Sequence, residues 1–143
     1  TVSGFVAGAC LIGNAFVNAP FRVSAQCNRV NVSDGHLETV SVKLEKRATE
    51  ADVIEAFRTF TSPLHESSLP SAPPFPVIFK EEIDRPQPRL DRELAQGMAA
   101  VVGRVRKCSV LDYKFLVLSH NTIRGAAGAA ILNAELLKVK GYL

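Results

Sequence analysis

Two runs of strand-forming residues joined by a connection too short for a crossover commit this chain to antiparallel sheet. Met98 to Arg106 is β-branched at Val101, Val102 and Val105, and Tyr113 to Leu118 forms a second such run. Val110-Leu111-Asp112 makes the turn between them. A parallel pairing needs a dozen or more connecting residues, so these two should be antiparallel neighbours. The pattern recurs earlier in the chain. Val30 and Val32 alternate with polar residues as in a half-buried strand, Ser33-Asp34-Gly35 has turn chemistry, and Val40, Val42 and Leu44 resume the alternation.

Between these runs the sequence predicts helix and loop. Thr49 with Asp52 three residues on has the form of a capping box, and Val53, Ile54, Phe57 and Phe60 fall on one helical face that should cover one side of the sheet. The helix should end by Pro63, because the residue before a proline is disfavoured in the helical region. Five prolines and several serines between Thr61 and Pro76 predict a long surface loop containing His65, to which no role is assigned. Val77-Ile78-Phe79 is a short buried strand, followed by a charged, proline-broken loop from Lys80 to Glu93. In that loop Arg85, Arg89 and Arg92 could face a phosphate. The nearly balanced charge favours instead a solvated loop paired with Asp84, Asp91 and Glu93. Ala15-Phe16-Val17 and Phe21 to Cys27 read as extended segments broken at Pro20, whereas residues 1 to 14 leave strand and coil undecided. The last element, Asn121 to Lys140, is a helix with Asn121 or Thr122 as cap and Gly141 as stop. Its first two turns, Arg124 to Ala130, carry almost no side-chain volume, so another backbone or a flat ligand can come close to them.

The 143 residues make one domain, and 47% hydrophobic content is enough for a core. The 17 Lys and Arg against 14 Asp and Glu are dispersed, which speaks against nucleic acid as a partner. No apolar run approaches the roughly 18 residues of a membrane span, and no basic segment precedes the short apolar stretch at the start. A cytoplasmic protein is expected. Cys10, Cys27 and Cys108 have neither metal-site spacing nor an even count, so reduced thiols and no metal site are expected, with Cys27 as a buried structural thiol.

The chemistry-bearing pair is Arg29 and His36. In one unbroken strand their odd spacing would send them to opposite faces; the turn between them cancels that parity, so both can project at one end of a sheet. A guanidinium holds a carboxylate as a planar fork, and an imidazole moves protons near neutrality. A solvated arginine beside a turn histidine fits the same spacing.

The segment Cys27-Asn28-Arg29-Val30-Asn31-Val32-Ser33-Asp34-Gly35-His36-Leu37-Glu38 resembles the substrate-binding and catalytic segment of aspartate-semialdehyde dehydrogenases, with Asn31 where that pattern usually has proline. Arg85-Pro86-Gln87-Pro88-Arg89-Leu90-Asp91-Arg92, Gly97-Met98 through Gly103-Arg104, and Ser119-His120-Asn121-Thr122-Ile123-Arg124-Gly125-Ala126-Ala127-Gly128 resemble the same family, in particular its fungal and related branch. The resemblance covers roughly residues 15 to 143; where residues 1 to 14 stand, the family has a charged helix contributing a substrate-binding carboxylate. It implies an α+β fold: a mostly antiparallel or mixed sheet with helices packed on one face, like the second domain of the glyceraldehyde-3-phosphate dehydrogenase superfamily. It implies a C-terminal substrate-binding and dimerisation domain, with the N-terminal dinucleotide-binding domain and the nucleophilic cysteine of the complete enzyme absent from this chain. No glycine-rich dinucleotide fingerprint follows a strand here.

By the same resemblance, the complete enzyme reductively dephosphorylates β-aspartyl phosphate to aspartate semialdehyde with NADP as cofactor, on the way to lysine, threonine and methionine. Arg29 would bind the substrate carboxylate, His36 would be the catalytic acid/base, and Asn121 would lie beside the nicotinamide carboxamide. Partners would be aspartate semialdehyde, phosphate, the nucleotide-binding domain and a second copy of the chain. Two alternatives stand beside this reading: a dimerisation module idle in isolation, and half of an N-acetylglutamyl-phosphate reductase.

Overall fold

The structure is a computed structural model that describes residues 9–12, 15–18, 22–28, 30–62 and 68–143. Arg29, His65 and residues 1–8 lie outside the described residues. A small hairpin pairs β1 (Ala9–Ile12) with β2 (Ala15–Asn18). The main sheet has five strands in the order β3-β4-β7-β6-β5: β3 (Arg22–Asn28), β4 (His36–Lys43), β7 (Tyr113–Ser119), β6 (Ala100–Lys107) and β5 (Val77–Lys80). All pairs are antiparallel except β5 with β6, which makes the sheet mixed. The hairpin expected around Val110 to Asp112 is present, with Val101 opposite Leu118 and an irregularity between Gly103 and Arg106.

The early alternation is corrected. β3 stops at Asn28, and Val30 and Val32 belong to the connection to β4. The Val32 N–H donates to the Val30 carbonyl at 2.9 Å, a three-residue turn that takes these valines out of strand geometry. Cys27 is also corrected: it is exposed, because β3 is an edge strand and β4 covers only one side of it.

The core lies on one face of the sheet. Val40, Val102, Val105, Tyr113 and Phe115 form it, and α1 (Glu50–Arg58) covers it with Val53, Ile54 and Phe57. The capping box is formed: the Thr49 hydroxyl accepts from the Asp52 N–H at 3.2 Å, and the Asp52 carboxylate accepts from the Thr49 N–H at 2.7 Å. Phe57 meets Phe115 edge to face, ring centroids 5.0 Å apart. Phe60 lies beyond the helix end and is largely exposed.

The other face is covered at one end only, and by a loop. Val101 and Leu118 there are almost fully buried beneath the segment from Lys80 to Met98, which contains the single helical turn α2 (Pro88–Asp91). The expected charge pairing in this segment is present, and Glu81 to Asp84, Arg89, Leu90 and Glu93 are exposed as expected, but Asp91 is not. Asp91 is fully buried; the Arg85 guanidinium grips both its oxygens, and the Gln87 N–H donates to it at 2.7 Å. Gly103 makes the contact possible, since a Cβ there would lie 2.5 Å from the Arg85 carbonyl oxygen.

The terminal helix also begins differently from expectation. Ile123–Ala127 is a wide π turn, and the regular helix α3 runs from Gly128 to Val139. Neither proposed cap acts as one. The Thr122 side chain caps nothing, and the Ile123 N–H donates instead to His120 Nδ1 at 3.3 Å. The stop is as expected: Gly141 is left-handed, its N–H meets the Lys138 carbonyl and the Tyr142 N–H the Leu137 carbonyl, the two bonds of a Schellman cap. Leu132 packs in a second cluster with Leu69 and Met98, and Gly128 sits against the Met98 sulfur.

Two consequences are measurable. Gly103→Ala should lower unfolding free energy by about 1–3 kcal/mol in a urea titration, because the added methyl meets backbone that cannot swing aside. For Asp91, burial raises the carboxyl, but Arg85 and the Gln87 N–H outweigh it and hold the group below the ordinary carboxylate range. A depressed folded value means a stabilising contribution complete above the unfolded value of about 4 and lost as pH falls through the folded one. Asp91→Asn should therefore be less stable than the parent at neutral pH, and the gap should close in melts taken below about pH 4.

Candidate functional site

The connection between β3 and β4 ends in Ser33-Asp34-Gly35, and two distant segments hold it. The Gly35 N–H donates to Asn121 Oδ1 at 2.9 Å, and Arg92 Nη1 donates to the Asp34 carbonyl at 3.2 Å. Gly35 has φ of +112°, where a side chain would be strained, and a Cβ there would also lie 3.4 Å from Leu118 and Pro88. His36 is thereby set as the first residue of β4, exposed at the sheet end.

Directly across from His36 stands Ser119, the last residue of β7. Ser119 is buried, and its Oγ finds no hydrogen-bond partner among the described residues. His120 follows, also buried. Its Nδ1 accepts from the Ile123 N–H and faces the Thr122 hydroxyl at 3.2 Å, so the ring proton is assigned to Nε2, which faces Glu93 Oε1 at 3.5 Å. The neighbouring backbone at Ala95, Gln96 and Gly97 is left-handed at three successive residues, and Gly97 lies so close to Ile123 and His120 that a Cβ would come within 3.0 and 3.2 Å of them.

Of the three residues singled out from sequence, the structure places His36 and Asn121 on two sides of one turn. Arg29 lies outside the described residues, although its chain neighbour Asn28 is the last residue of β3, paired with Leu37. Asn121 is half-buried; its Oδ1 is engaged by Gly35, while its NH2 donates to nothing among the described residues. Beyond it Gly125, Ala126 and Ala127 expose a surface without bulk. Sequence reasoning gave Arg92 to a solvated loop and assigned no role to Ser119 or His120. The blocks containing them were visible as motifs, but their partners are 58 residues away for Arg92 and on another strand for Ser119.

Neither described thiol suits a nucleophile in this site. Desolvation and the Glu38 carboxylate opposite raise the Cys27 thiol above its ordinary value, which leaves it a poor thiolate. Cys108 is lowered by the N–H groups of Leu111 and Val110, by Ser41 and by Lys114, but it sits at the far end of β7 from Ser119, about 20 Å along the strand. Among the described residues no cluster of His, Cys, Asp and Glu is placed to hold a metal ion, and no helix is long and apolar enough to cross a membrane.

Residues 13–124 match the family model described as semialdehyde dehydrogenase, dimerisation domain. An aspartate-semialdehyde dehydrogenase of Archaeoglobus fulgidus is 51% identical over 119 residues, which are 83% of this chain and 34% of that protein. One from Candida albicans is 46% identical over 136 residues, 92% of this chain and 37% of that protein. The crystal structure of aspartate-semialdehyde dehydrogenase with NADP from Candida albicans superposes with a TM-score of 0.81 at 43% identity, covering 96% of this chain and 40% of that one. The chain thus spans about a third of the length of the curated relatives it matches. With a matched region that runs from before β2 through the turn, the loop and the start of the terminal helix, this chain belongs to the semialdehyde dehydrogenase dimerisation-domain family.

Proposed function

We propose that this chain is the substrate-binding and dimerisation part of an NADP-dependent aspartate-semialdehyde dehydrogenase, acting in the cytoplasm on the way from aspartate to other amino acids. The observation that carries this reading is the exposed His36 on a turn locked by Asn121 and Arg92, in a chain about half identical to enzymes of that name. In the reaction, His36 takes a proton from the attacking group and returns it, from a position open to substrate yet fixed at its backbone. Arg29 forks the substrate α-carboxylate and so fixes the reacting carbon.

NADP supplies the hydride acceptor or donor when bound. The residues fit a nicotinamide: the unspent NH2 of Asn121 can donate to its carboxamide oxygen, and the small residues Gly125 to Ala127 leave room for a flat ring. The nucleophilic cysteine of this chemistry would come from outside the described thiols, for the reasons of position and ionisation given above.

Dimerisation uses the part of the sheet that the loop leaves open. Ser24, Gln26 and Asn28 on β3, Thr39 and Ser41 on β4, and Leu116 on β7 form a mixed polar and apolar face without a covering element among the described residues. A self-complementary surface of this kind suits a second copy of the chain.

In the complete enzyme, Arg29→Lys keeps the charge but loses the fork, so kcat/KM for aspartate semialdehyde should fall by roughly one to two orders of magnitude with the KM for NADP little changed. His36→Ala should lower kcat by about two orders of magnitude or more. Near wild-type kinetics in both folded variants would remove the pair from the site. Comparing aspartyl and N-acetylglutamyl semialdehydes in the phosphate-dependent oxidation decides the acyl substrate. Separately, Thr39→Arg puts a charge at the centre of the open face and should shift the sedimentation profile from dimer toward monomer; an unchanged profile would move the interface elsewhere.

A further inference from the structure

Ser119 carries the one polar side-chain atom among the described residues that is fully buried without a hydrogen-bond partner. A buried hydroxyl left unpaired costs stability, so its retention asks for a reason. Its surroundings in the sheet are specific. Ser119 and His36 are direct partners in the antiparallel pair of β4 with β7, hence on the same face. Side chains so placed have Cβ atoms about 4.5–5.5 Å apart. On the other side of Ser119 the register of β6 continues to Ala100, which has nothing to offer a hydroxyl. Along the strand the neighbour on that face is Val117. Glu38, diagonally placed, lies opposite Cys27 and bonds its thiol.

His36 has the complementary lack: its backbone is fixed, but its imidazole is exposed and bonded to no group among the described residues. An imidazole on a fixed Cα still has two rotatable bonds. Catalysis by general acid or base requires the nitrogen held within about 0.5 Å of its productive place, which a free rotor does not provide. Rotation about those bonds brings a ring nitrogen into hydrogen-bond range of a hydroxyl across the strand pair, about 2.6–3.2 Å.

We infer that Ser119 is the positioning residue for His36, its Oγ accepting from one ring N–H so that the other nitrogen is aimed at the reacting proton. This rests on the reading of His36 as the acid/base. The hydroxyl itself touches no substrate; it selects the ring orientation and the tautomer.

The test is steady-state kinetics, pH profiles and urea melts of the complete enzyme with Ser119→Ala, Ser119→Thr, His36→Ala and the Ser119→Ala/His36→Ala pair. Ser119→Ala should lower kcat about three- to tenfold, the worth of one ordinary hydrogen bond, with the KM for NADP unchanged. The pH profile of its kcat should also depart from the parent's, since the ring loses the acceptor that selects its orientation. Ser119→Thr keeps the hydroxyl and should recover most of the rate. Because the bond is made to an exposed imidazole that water can serve instead, Ser119→Ala should leave stability close to the parent's. On the His36→Ala background the serine substitution should change nothing further. If Ser119→Ala has the parent's kcat and pH profile while His36→Ala is nearly inactive, the positioning role is wrong and the acid/base reading stands. If His36→Ala is fully active, the reading beneath it has failed. Loss of activity with loss of stability and no recovery by threonine would make Ser119 structural and overturn the inference.

Discussion

The buried ion pair between Arg85 and Asp91 is the constraint from which the site end of the sheet follows. Asp91 is removed from water entirely, and such a carboxylate survives as a charge only if its oxygens are occupied. Here they are, by the Arg85 guanidinium and the Gln87 N–H. The pair closes the loop on itself, and the closed loop lies on β6 at Gly103 with its own backbone in contact. From that platform Pro88 and Arg92 reach Gly35 and Asp34, and Glu93 reaches His120. Two sequence segments that bear the site are thus fastened to a third that takes no part in the chemistry. Removing the aspartate would leave the arginine unanswered in a half-buried place, which disturbs more than replacing both with apolar groups would.

What could be read from sequence was what local physics decides. The capping box at Thr49, the hairpin from Ala100 to Ser119 and the glycine stop at Gly141 depend on residues within a few positions of one another, and all three are present. The errors share the opposite character. Val30 and Val32 have strand-forming side chains, yet the neighbouring strand has already parted from β3 at Leu37. Cys27 lies in a genuine strand, but whether that strand is an edge is a property of the whole sheet. The start of the terminal helix follows the same rule: Asn121 would cap it, except that Gly35, 86 residues earlier, takes its carbonyl oxygen, and His120 fills the vacated role.

The site was legible to the same degree and for the same reason. His36 could be singled out because a turn precedes it in sequence, and Asn121 because a helix of small residues follows it. Arg92, which holds the turn, looked like one cation among many because its acceptor is a backbone carbonyl, and a carbonyl leaves no mark in a sequence. Ser119 was hidden still more completely, since a serine at a strand end is ordinary until the register shows what stands across from it.

The distribution of unspent hydrogen-bonding capacity separates structure from function in this fold. Elsewhere the polar groups that burial isolates are answered: Asp91 by Arg85 and Gln87, the Tyr113 hydroxyl by the Ala48 carbonyl at 2.7 Å, the Ser71 hydroxyl by Glu135 at 2.8 Å. At the meeting of β4 and β7 one such group is not, the Ser119 hydroxyl, and beside it the exposed His36 imidazole and the NH2 of the half-buried Asn121 bond no group among the described residues. A chain selected only for stability would have paired or replaced the serine, since a buried orphan hydroxyl costs free energy and contributes no packing that alanine could not. The backbones of all three, by contrast, are tightly held by the strand register, by the Asn121 bond to Gly35 and by Arg92. Rigid backbone with unsatisfied side chains is the arrangement expected where bonds are to be completed by something that binds. That combination, more than any single residue type, makes this end of the sheet the candidate site.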